Sequence, residues 1–206
     1  MSVVPPGNYR YVQRVGTAFL RLASSICGLV PAVVLCSGTM RAQPVSEYEI
    51  KAAFLHKFAS FVQWPAGAGA HVASAHAAGN PICIGILGAD QFGPALDQIL
   101  RGKLVGGREF AVERFHAASQ ALHCEIVFIG ASEQSRMRDI LEVFRGKPVL
   151  TVSEVPGFCE LGGFINLKVI DAAVRFEINA AAGERAGLRF SSKLLSLARI
   201  VTEGSP

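Results

Sequence analysis

Five cysteines and five histidines are the residues of this chain that could support redox, nucleophilic or metal chemistry. The histidines do not stand with cysteines or acids at the ligand spacings of standard zinc sites. His71 and His76 lie in a segment rich in alanine and glycine that contains no carboxylate. His123 precedes Cys124 directly, but adjacent side chains of a strand point to opposite faces. The sequence therefore predicts no metal site.

Motifs for catalysis and nucleotide binding are also missing from the sequence. The glycines of GILGADQFG lack the G-x-G-x-x-G spacing, and Asp90 would place a negative charge where a phosphate binds. The chain contains no Walker A sequence and no G-x-S-x-G nucleophile elbow. We therefore predict a protein that is not an enzyme and that needs no cofactor.

The excess positive charge belongs to the first 42 residues. The formal net charge is +4, and the remainder of the chain carries 16 basic and 16 acidic residues. A neutral remainder without a basic patch predicts no nucleic-acid partner. The charged residues before position 43 are Arg10, Arg14, Arg21 and Arg41.

This N-terminal segment has the order of a secretory signal peptide. An apolar run from Leu22 to Met40 follows the arginines, and small and polar residues come next. We predict a signal peptide at residues 1–42, cleaved after Ala42, and one domain at residues 43–206. An uncleaved membrane anchor is the alternative, because the apolar run is nearly long enough to span a bilayer. Lipidation at Cys36 is a weaker alternative, because a small residue should precede a lipidated cysteine and Leu35 stands there.

Export would bring the remaining cysteines into an oxidising compartment, where a disulfide is expected. Cys83 and Cys124 lie in the apolar runs ICIGIL and CEIVFIG. If these runs are neighbouring parallel strands, the two cysteines come within bridging reach. The bridge would close a loop of about 40 residues and contribute about 3–4 kcal/mol. Cys159 would then be a free thiol; the alternative is three buried, reduced cysteines.

The first segment of the predicted domain is a helix. Ser46 and Glu49 have the spacing of a capping box, and Pro65 is expected to end the helix. Its apolar stripe faces the core, whereas Lys51 and Lys57 lie off the stripe and are expected to be solvated.

Strands and helices alternate from position 81. The segments ICIGILG, FAVERF, CEIVFIG and PVLTVSE are predicted strands, and Asp90 and Ser132 are predicted caps of two helices. The order indicates an α/β fold. We predict a single layered domain with a largely parallel, Rossmann-like sheet, flanked by helices and completed by a C-terminal β-hairpin and helix.

The C-terminal stretch 162–201 begins with two alternating segments that predict the hairpin. Antiparallel pairing places apolar side chains opposite one another in one register only. The paired residues are Ile165 with Ile178, Leu167 with Phe176, and Val169 with Val174.

Two short helices are predicted after the hairpin. Asn179 can cap the first, which ends before Gly187, and Ser191 or Ser192 can cap the second. The second helix is predicted to carry a stripe formed by Leu194, Leu197, Ala198 and Val201.

The other face of the hairpin is polar, and carries Asn166, Lys168, Arg175 and Glu177. Such a face is either solvated or kept for a partner. We take Glu177 and Arg189 as the leading candidates for binding a partner or a small ligand, with the other three as further candidates. The alternative is that these charges pair with one another or with solvent.

Several blocks of the sequence resemble the YfiR/HmsC-like family of small periplasmic proteins. The blocks are EYEIKAAFLHKFASFVQWP, IGILGADQFG, PVLTVSEVPGF, GGFINLKV, VRFEIN and AGLRFSSKLLSLARIV, in that order. The resemblance covers roughly residues 46 to 201, and Cys83 and Cys124 match the positions of a family disulfide.

The resemblance implies a periplasmic repressor of a membrane-bound diguanylate cyclase. Such a repressor binds the periplasmic sensor region of the inner-membrane cyclase, which lowers cyclic di-GMP and biofilm formation. An OmpA-like outer-membrane lipoprotein sequesters the repressor, and members are typically homodimers. The alternatives are a periplasmic small-molecule sensor and an accessory subunit of an envelope transport or signalling complex.

Overall fold

The structure, a computed structural model, describes residues 46–65 and 79–204. The predictions for the signal peptide, and those for His71 and His76, lie outside the described residues. No helix within the described ranges combines the length and the apolar character needed to cross a membrane.

Nine strands and five α-helices make up the described chain. The helices are α1 Glu47–Phe61, α2 Pro94–Leu100, α3 Met137–Phe144, α4 Ala180–Arg185 and α5 Ser192–Leu195, with 3₁₀ turns at Ala118–Ala121 and Ala131–Arg136. The strands are β1 Val62–Gln63, β2 Ile82–Leu87, β3 Phe110–Phe115, β4 Ile126–Ile129, β5 Leu150–Ser153, β6 Ile165–Ile170, β7 Ala173–Ile178, β8 Arg189–Phe190 and β9 Arg199–Ile200.

Seven of these strands form one sheet in the order β3-β2-β4-β5-β6-β7-β9. All neighbours are parallel except β6 and β7, which form the antiparallel hairpin. β1 and β8 form a separate two-stranded antiparallel sheet. The predicted α/β fold with a largely parallel sheet flanked by helices is confirmed.

Apolar side chains cover both faces of the sheet. On one face, β2, β4, β5 and the hairpin pack against α1 and α2 around Leu55, Phe58 and Phe128. On the other face, α3 packs over β2 and β4 around Met137 and Phe144. Strands covered on both sides need continuous apolar sequence, which explains the runs ICIGIL and IVFI.

The N-terminal helix begins at the predicted capping box. The Glu49 backbone N–H donates to Ser46 Oγ at 3.1 Å, and the Ser46 N–H donates to the Glu49 carboxylate at 2.6 Å. The prediction for Lys51 is wrong, because its side chain is only 3% exposed and pairs with Glu47 and Glu154. Burial opposes the lysine charge, yet hydrogen bonds to both carboxylates raise its pKa above the ordinary value.

Two predicted helix caps are also wrong. Ser132 lies in the 3₁₀ turn before α3, and its hydroxyl accepts a hydrogen bond from the backbone N–H of Ala89 at 2.9 Å. Asp90 accepts from the N–H groups of Phe92 and Gly93, forming a turn that ends just before α2. Both side chains therefore stabilise loops that lead into a helix, and neither caps the helix itself.

The C-terminal helices are partly as predicted. Asn179 Oδ1 accepts from Ala182 N at 2.9 Å, and Ser191 Oγ accepts from Leu194 N at 3.2 Å, so both caps are confirmed. The stripe predicted beyond Leu194 is wrong, because α5 ends at Leu195. The chain then forms β9, which pairs in parallel with the end of β7.

The predicted hairpin register is confirmed, with Ile165 opposite Ile178 and Val169 opposite Val174. Asp171 and Ala172 connect the strands, and both have positive φ values, 50° and 57°. A two-residue loop of this kind suits the twist of the strands, and Asp171 is among the residues that tolerate it, whereas the Cβ of Ala172 disfavours a positive φ.

Replacing Ala172 by glycine should therefore stabilise the protein by about 1 kcal/mol, because glycine has no Cβ to disfavour the left-handed conformation. Thermal unfolding of Ala172→Gly would measure the change. The same substitution at Ala181, which is exposed in α4, is the matched control and should cost about 0.5–1 kcal/mol. An equal loss of stability in both variants would contradict the prediction.

Candidate protein-binding surface

The polar face of the hairpin is divided into a buried base and an exposed tip. At the base, Asn166 and Glu177 pair across the strands and are 0% and 3% exposed. At the tip, Lys168 pairs with Arg175, and Arg175 is exposed. The polar face of the hairpin is therefore solvated at its tip but not at its base.

Glu177 holds two cations at the edge of the sheet. Lys168 Nζ lies 2.7 Å from Glu177 Oε2, and Arg199 Nη1 lies 3.2 Å from Oε1. The Glu177 side chain is 4% exposed, whereas those of Lys168 and Arg199 are 31% and 78% exposed. A partner can therefore reach the two cations, while the buried carboxylate of Glu177 orients them through the ion pairs.

Asn166 lies beside this ion-paired group but is fully buried. Neither its Oδ1 nor its Nδ2 has a hydrogen-bond partner among the residues that the structure describes. Leaving such groups unpaired costs about 1–3 kcal/mol. Asn166 therefore belongs to the interior of the hairpin base and does not itself form contact surface.

Apolar side chains are exposed on the same end strands as the cations. Val169 and Ile170 at the hairpin tip are 49% and 51% exposed, and Ile200 on β9 is 52% exposed. β9 pairs only with Glu177 and Ile178, so the outer edge of β7 is otherwise open among the described residues. Successive side chains of a strand point to opposite faces, so Val169 and Ile200 lie on the face opposite the cations. We call the residues that share the face of the cations the hairpin surface: Lys168, Ile170, Arg175 and Arg199.

Arg189 lies in the other sheet. It is exposed on β8 and pairs with Gln63 of β1. Together with Trp64 and neighbouring residues it lines an open groove of about 820 Å³, which Glu177 does not line. The structure therefore places the two leading candidates at different surfaces.

The predicted disulfide between Cys83 and Cys124 is present, and Cys159 is the free thiol among the residues that the structure describes. Cys159 is buried beside the hairpin base, where its Sγ lies 3.7 Å from the carbonyl oxygen of Glu177. Burial, and then the Glu177 charge, raises the pKa of the Cys159 thiol to about 12. The thiolate that reacts with electrophiles is therefore scarce at neutral pH.

Sequence reasoning missed a cluster around the disulfide. Nε2 of His123 lies 3.8 Å from Cys124 Sγ and 3.2 Å from the Glu113 carboxylate. The expectation that His123 and Cys124 point to opposite faces is wrong, because both residues precede β4 and are not in a strand. Their adjacency in sequence was the one signal available, and Glu113 joins them only through the pairing of β2 with β3.

The described chain is thus a layered α/β domain with a charged hairpin near one edge of its sheet. A family model described as YfiR/HmsC-like matches residues 48–199. The chain therefore belongs to the YfiR/HmsC-like family, as the sequence resemblance predicted.

Membership defines the general role of the protein. The family consists of periplasmic regulators of diguanylate cyclase. Its members are regulatory and not catalytic, and they act with periplasmic regions of partner proteins. The surfaces that matter for function are therefore those that another protein can reach.

Cys159 should resist alkylation in the native protein at neutral pH, because it is buried and the pKa of its thiol is raised. Peptide mass spectrometry after iodoacetamide treatment would measure the modified fraction. Treatment in denaturant is the control and should modify Cys159 fully. Rapid modification without denaturant would show that the thiol is accessible.

Reduction of the Cys83–Cys124 bridge should lower the stability of the metal-free protein by about 3–4 kcal/mol, because the bridge closes a long loop in the unfolded chain. The sequence separation of the two cysteines is 41 residues. Thermal unfolding with and without reductant would show the shift, measured with a chelator present. The Cys83→Ser/Cys124→Ser variant should not respond to reductant, and an equal response in that variant would assign the effect elsewhere.

Proposed function

We propose that this protein represses a membrane-bound diguanylate cyclase by binding the periplasmic sensor region of that cyclase. Binding holds the cytoplasmic output low, which reduces cyclic di-GMP and biofilm formation. The observation that carries the proposal is the family match over residues 48–199. The hairpin surface supports it, because it offers cations and an exposed apolar side chain without a reaction centre.

The composition of the hairpin surface is that of a protein interface. Arginine is enriched in interfaces, and a few apolar anchors surrounded by polar groups supply most of the binding energy. Arg175 and Arg199 provide exposed guanidinium groups, and Ile170 provides an exposed apolar side chain on the same face. The chain after its predicted signal peptide is neutral overall, so these cations would act locally on an acidic patch of the partner.

The predicted binding residues then have different roles. Arg175 and Lys168 contact the partner, whereas Glu177 positions Lys168 and Arg199 through the two ion pairs. Asn166 is buried inside the hairpin base and does not contact the partner. Arg189 would contact the partner or a ligand at a second surface, because it lines the groove beside the two-stranded sheet and not the hairpin surface.

Further parts of the proposal rest on the resemblance. Residues 1–42 act as the signal peptide that directs the chain to the periplasm. The mature protein forms a homodimer, and an OmpA-like outer-membrane lipoprotein sequesters it and releases the cyclase.

The groove lined by Arg189 favours one alternative, a sensor of small molecules. Trp64 offers an aromatic face and Arg189 a cation, which together suit a small ligand with an acidic group. The two functions are compatible if a ligand in this groove alters binding at the hairpin surface. Arg189→Ala should then abolish the effect of the ligand on binding at the hairpin surface.

Altering the exposed charges should weaken partner binding without unfolding the domain. For Arg175→Glu/Arg199→Gln we expect the Kd for the cyclase's periplasmic region to rise about tenfold or more, because one contact to an acidic patch becomes repulsive and the other is lost. Glutamine is used at position 199 because a carboxylate there would face the buried Glu177. Titration calorimetry would measure the Kd, and thermal unfolding would verify the fold. Arg101→Glu, at an exposed position after α2, is the matched control.

A cellular measurement completes this test. Deletion of the gene should raise cyclic di-GMP, wild-type protein should lower it again, and the double variant should fail to do so. Unchanged cyclic di-GMP after deletion would contradict repression. Normal repression by the double variant would contradict the role of the hairpin surface alone.

A further inference from the structure

Four side chains with the chemistry of a metal site meet at the Cys83–Cys124 bridge. Ligand atoms of Cys83, Glu113, His123 and Cys124 all lie within 4.8 Å of one another. Two sulfurs, one imidazole nitrogen and one carboxylate oxygen form a complete donor set for a four-coordinate Zn²⁺. The cluster lies outside the hairpin surface, so the proposed repression does not account for it.

The spacing of the donor atoms is close to that of a zinc tetrahedron. Zinc binds sulfur at about 2.3 Å and nitrogen or oxygen at about 2.0–2.2 Å, which makes the edges of the tetrahedron about 3.3–3.8 Å. His123 Nε2 lies 3.9 Å from Cys83 Sγ, 3.8 Å from Cys124 Sγ and 3.2 Å from Glu113 Oε2. Cys83 Sγ lies 3.6 Å from Glu113 Oε1. Coordination requires that the bond between the sulfurs is reduced and that the two sulfur atoms then move apart.

The histidine is oriented as in a metal site. Nδ1 of His123 lies 3.0 Å from the backbone carbonyl oxygen of Gln120 and donates its proton to it. This hydrogen bond directs Nε2 toward the cluster, as outer hydrogen bonds do for zinc-bound histidines. Nε2 then faces both oxygens of Glu113 at 3.2 Å. Nε2 and the Glu113 carboxylate therefore lie close enough together to bind the same metal ion.

Two neighbouring strands and the segment just before a third carry the four donors. Cys83 lies in β2, Glu113 in the adjacent β3, and Cys124 shortly before β4 on the other side of β2. The cysteines are buried, whereas the side chains of His123 and Glu113 are 44% and 45% exposed. A metal ion can therefore enter from solvent on the His123 side and meet a site built on rigid elements.

We propose that the reduced chain binds one Zn²⁺ through Cys83, Cys124, His123 and Glu113. A dithiol reductant supplies two electrons and two protons, which break the sulfur–sulfur bond and give two thiols, and the dithiol becomes a disulfide. Zn²⁺ then displaces both thiol protons and binds the two thiolates. The disulfide and the zinc site use the same sulfurs, so each state excludes the other.

The zinc site would replace the mechanical role of the disulfide. Both link the strands β2 and β4 across the same long loop, and metal binding to a folded site adds to folding stability. Reduced protein with zinc should therefore remain folded where reduced protein without zinc is destabilised. Bound zinc would also shield the thiolates from re-oxidation.

Titration with Zn²⁺ tests the proposal. The protein is reduced with a phosphine, stripped with a chelator and titrated, with native mass spectrometry and thermal unfolding as readouts. We expect one Zn²⁺ per reduced chain, a rise in Tm, and no binding to the oxidised chain. Equal binding to both forms, or none to the reduced form, would overturn the proposal.

Variants separate this site from adventitious binding. His123→Ala and Glu113→Gln should each raise the Kd for Zn²⁺ about tenfold or more, whereas His116→Ala and Glu109→Gln should leave it unchanged. Cys83→Ser/Cys124→Ser, which keeps Cys159, should abolish the tight site. If the reduced apo-protein unfolds, Zn²⁺ should restore its circular dichroism with the same dependence on variants. Binding that does not refold the chain, or that His123→Ala leaves intact, would refute the site.

Discussion

The rest of the domain depends on one link, here called the tie, which joins the start of β2 to the segment just before β4 by a disulfide and a buried carboxylate. The Cys83–Cys124 bridge links the two segments, and Glu125, only 1% exposed, accepts the Cys83 backbone N–H at 2.8 Å. The same carboxylate pairs with Arg108, which compensates for burial of the charge. Loss of Arg108 would leave the buried charge of Glu125 without this ion pair. Loss of the disulfide would increase the conformational entropy of the unfolded chain.

The tie fixes the register of the first strands, and the sheet then propagates from them. β4 and β5 extend the parallel sheet, and β5 receives β6 through its last two residues, Val152 and Ser153. The hairpin therefore attaches to the sheet by its base, while its tip extends away. This geometry explains why the base is buried and ion-paired, and why the charges and apolar groups near the tip are available to a partner.

Much of the fold was predictable because the relevant signals are local in sequence. Alternation alone set the register of the hairpin, since a slip of one residue would bury Glu177 in the apolar layer. The capping box at Ser46 and the cap at Asn179 depend on hydrogen bonds that span three residues. Failures arose where distant groups decide the outcome. Lys51 is buried because Glu154 lies beside it, and Ser132 is engaged by Ala89.

The candidate surface was predictable only in part for the same reason. The polar face of the hairpin followed from its sequence, including Lys168 and Arg175. The contribution of Arg199 did not, because helical spacing in the last segment concealed a strand that pairs with β7. The cluster around the disulfide requires β3 beside β2, and no short motif encodes that adjacency.

The open edge of β7 also bears on the colloidal behaviour of the protein. Along Ala173–Phe176, β7 has no outer strand neighbour within the described residues, and exposed edges of this kind tend to pair between molecules. Arg175 and Arg199 place like charges where a second copy would align, so repulsion opposes such pairing. At physiological ionic strength salt screens this repulsion between charges that are more than about 8 Å apart. Added salt therefore weakens the protection that these two arginines give to the open edge.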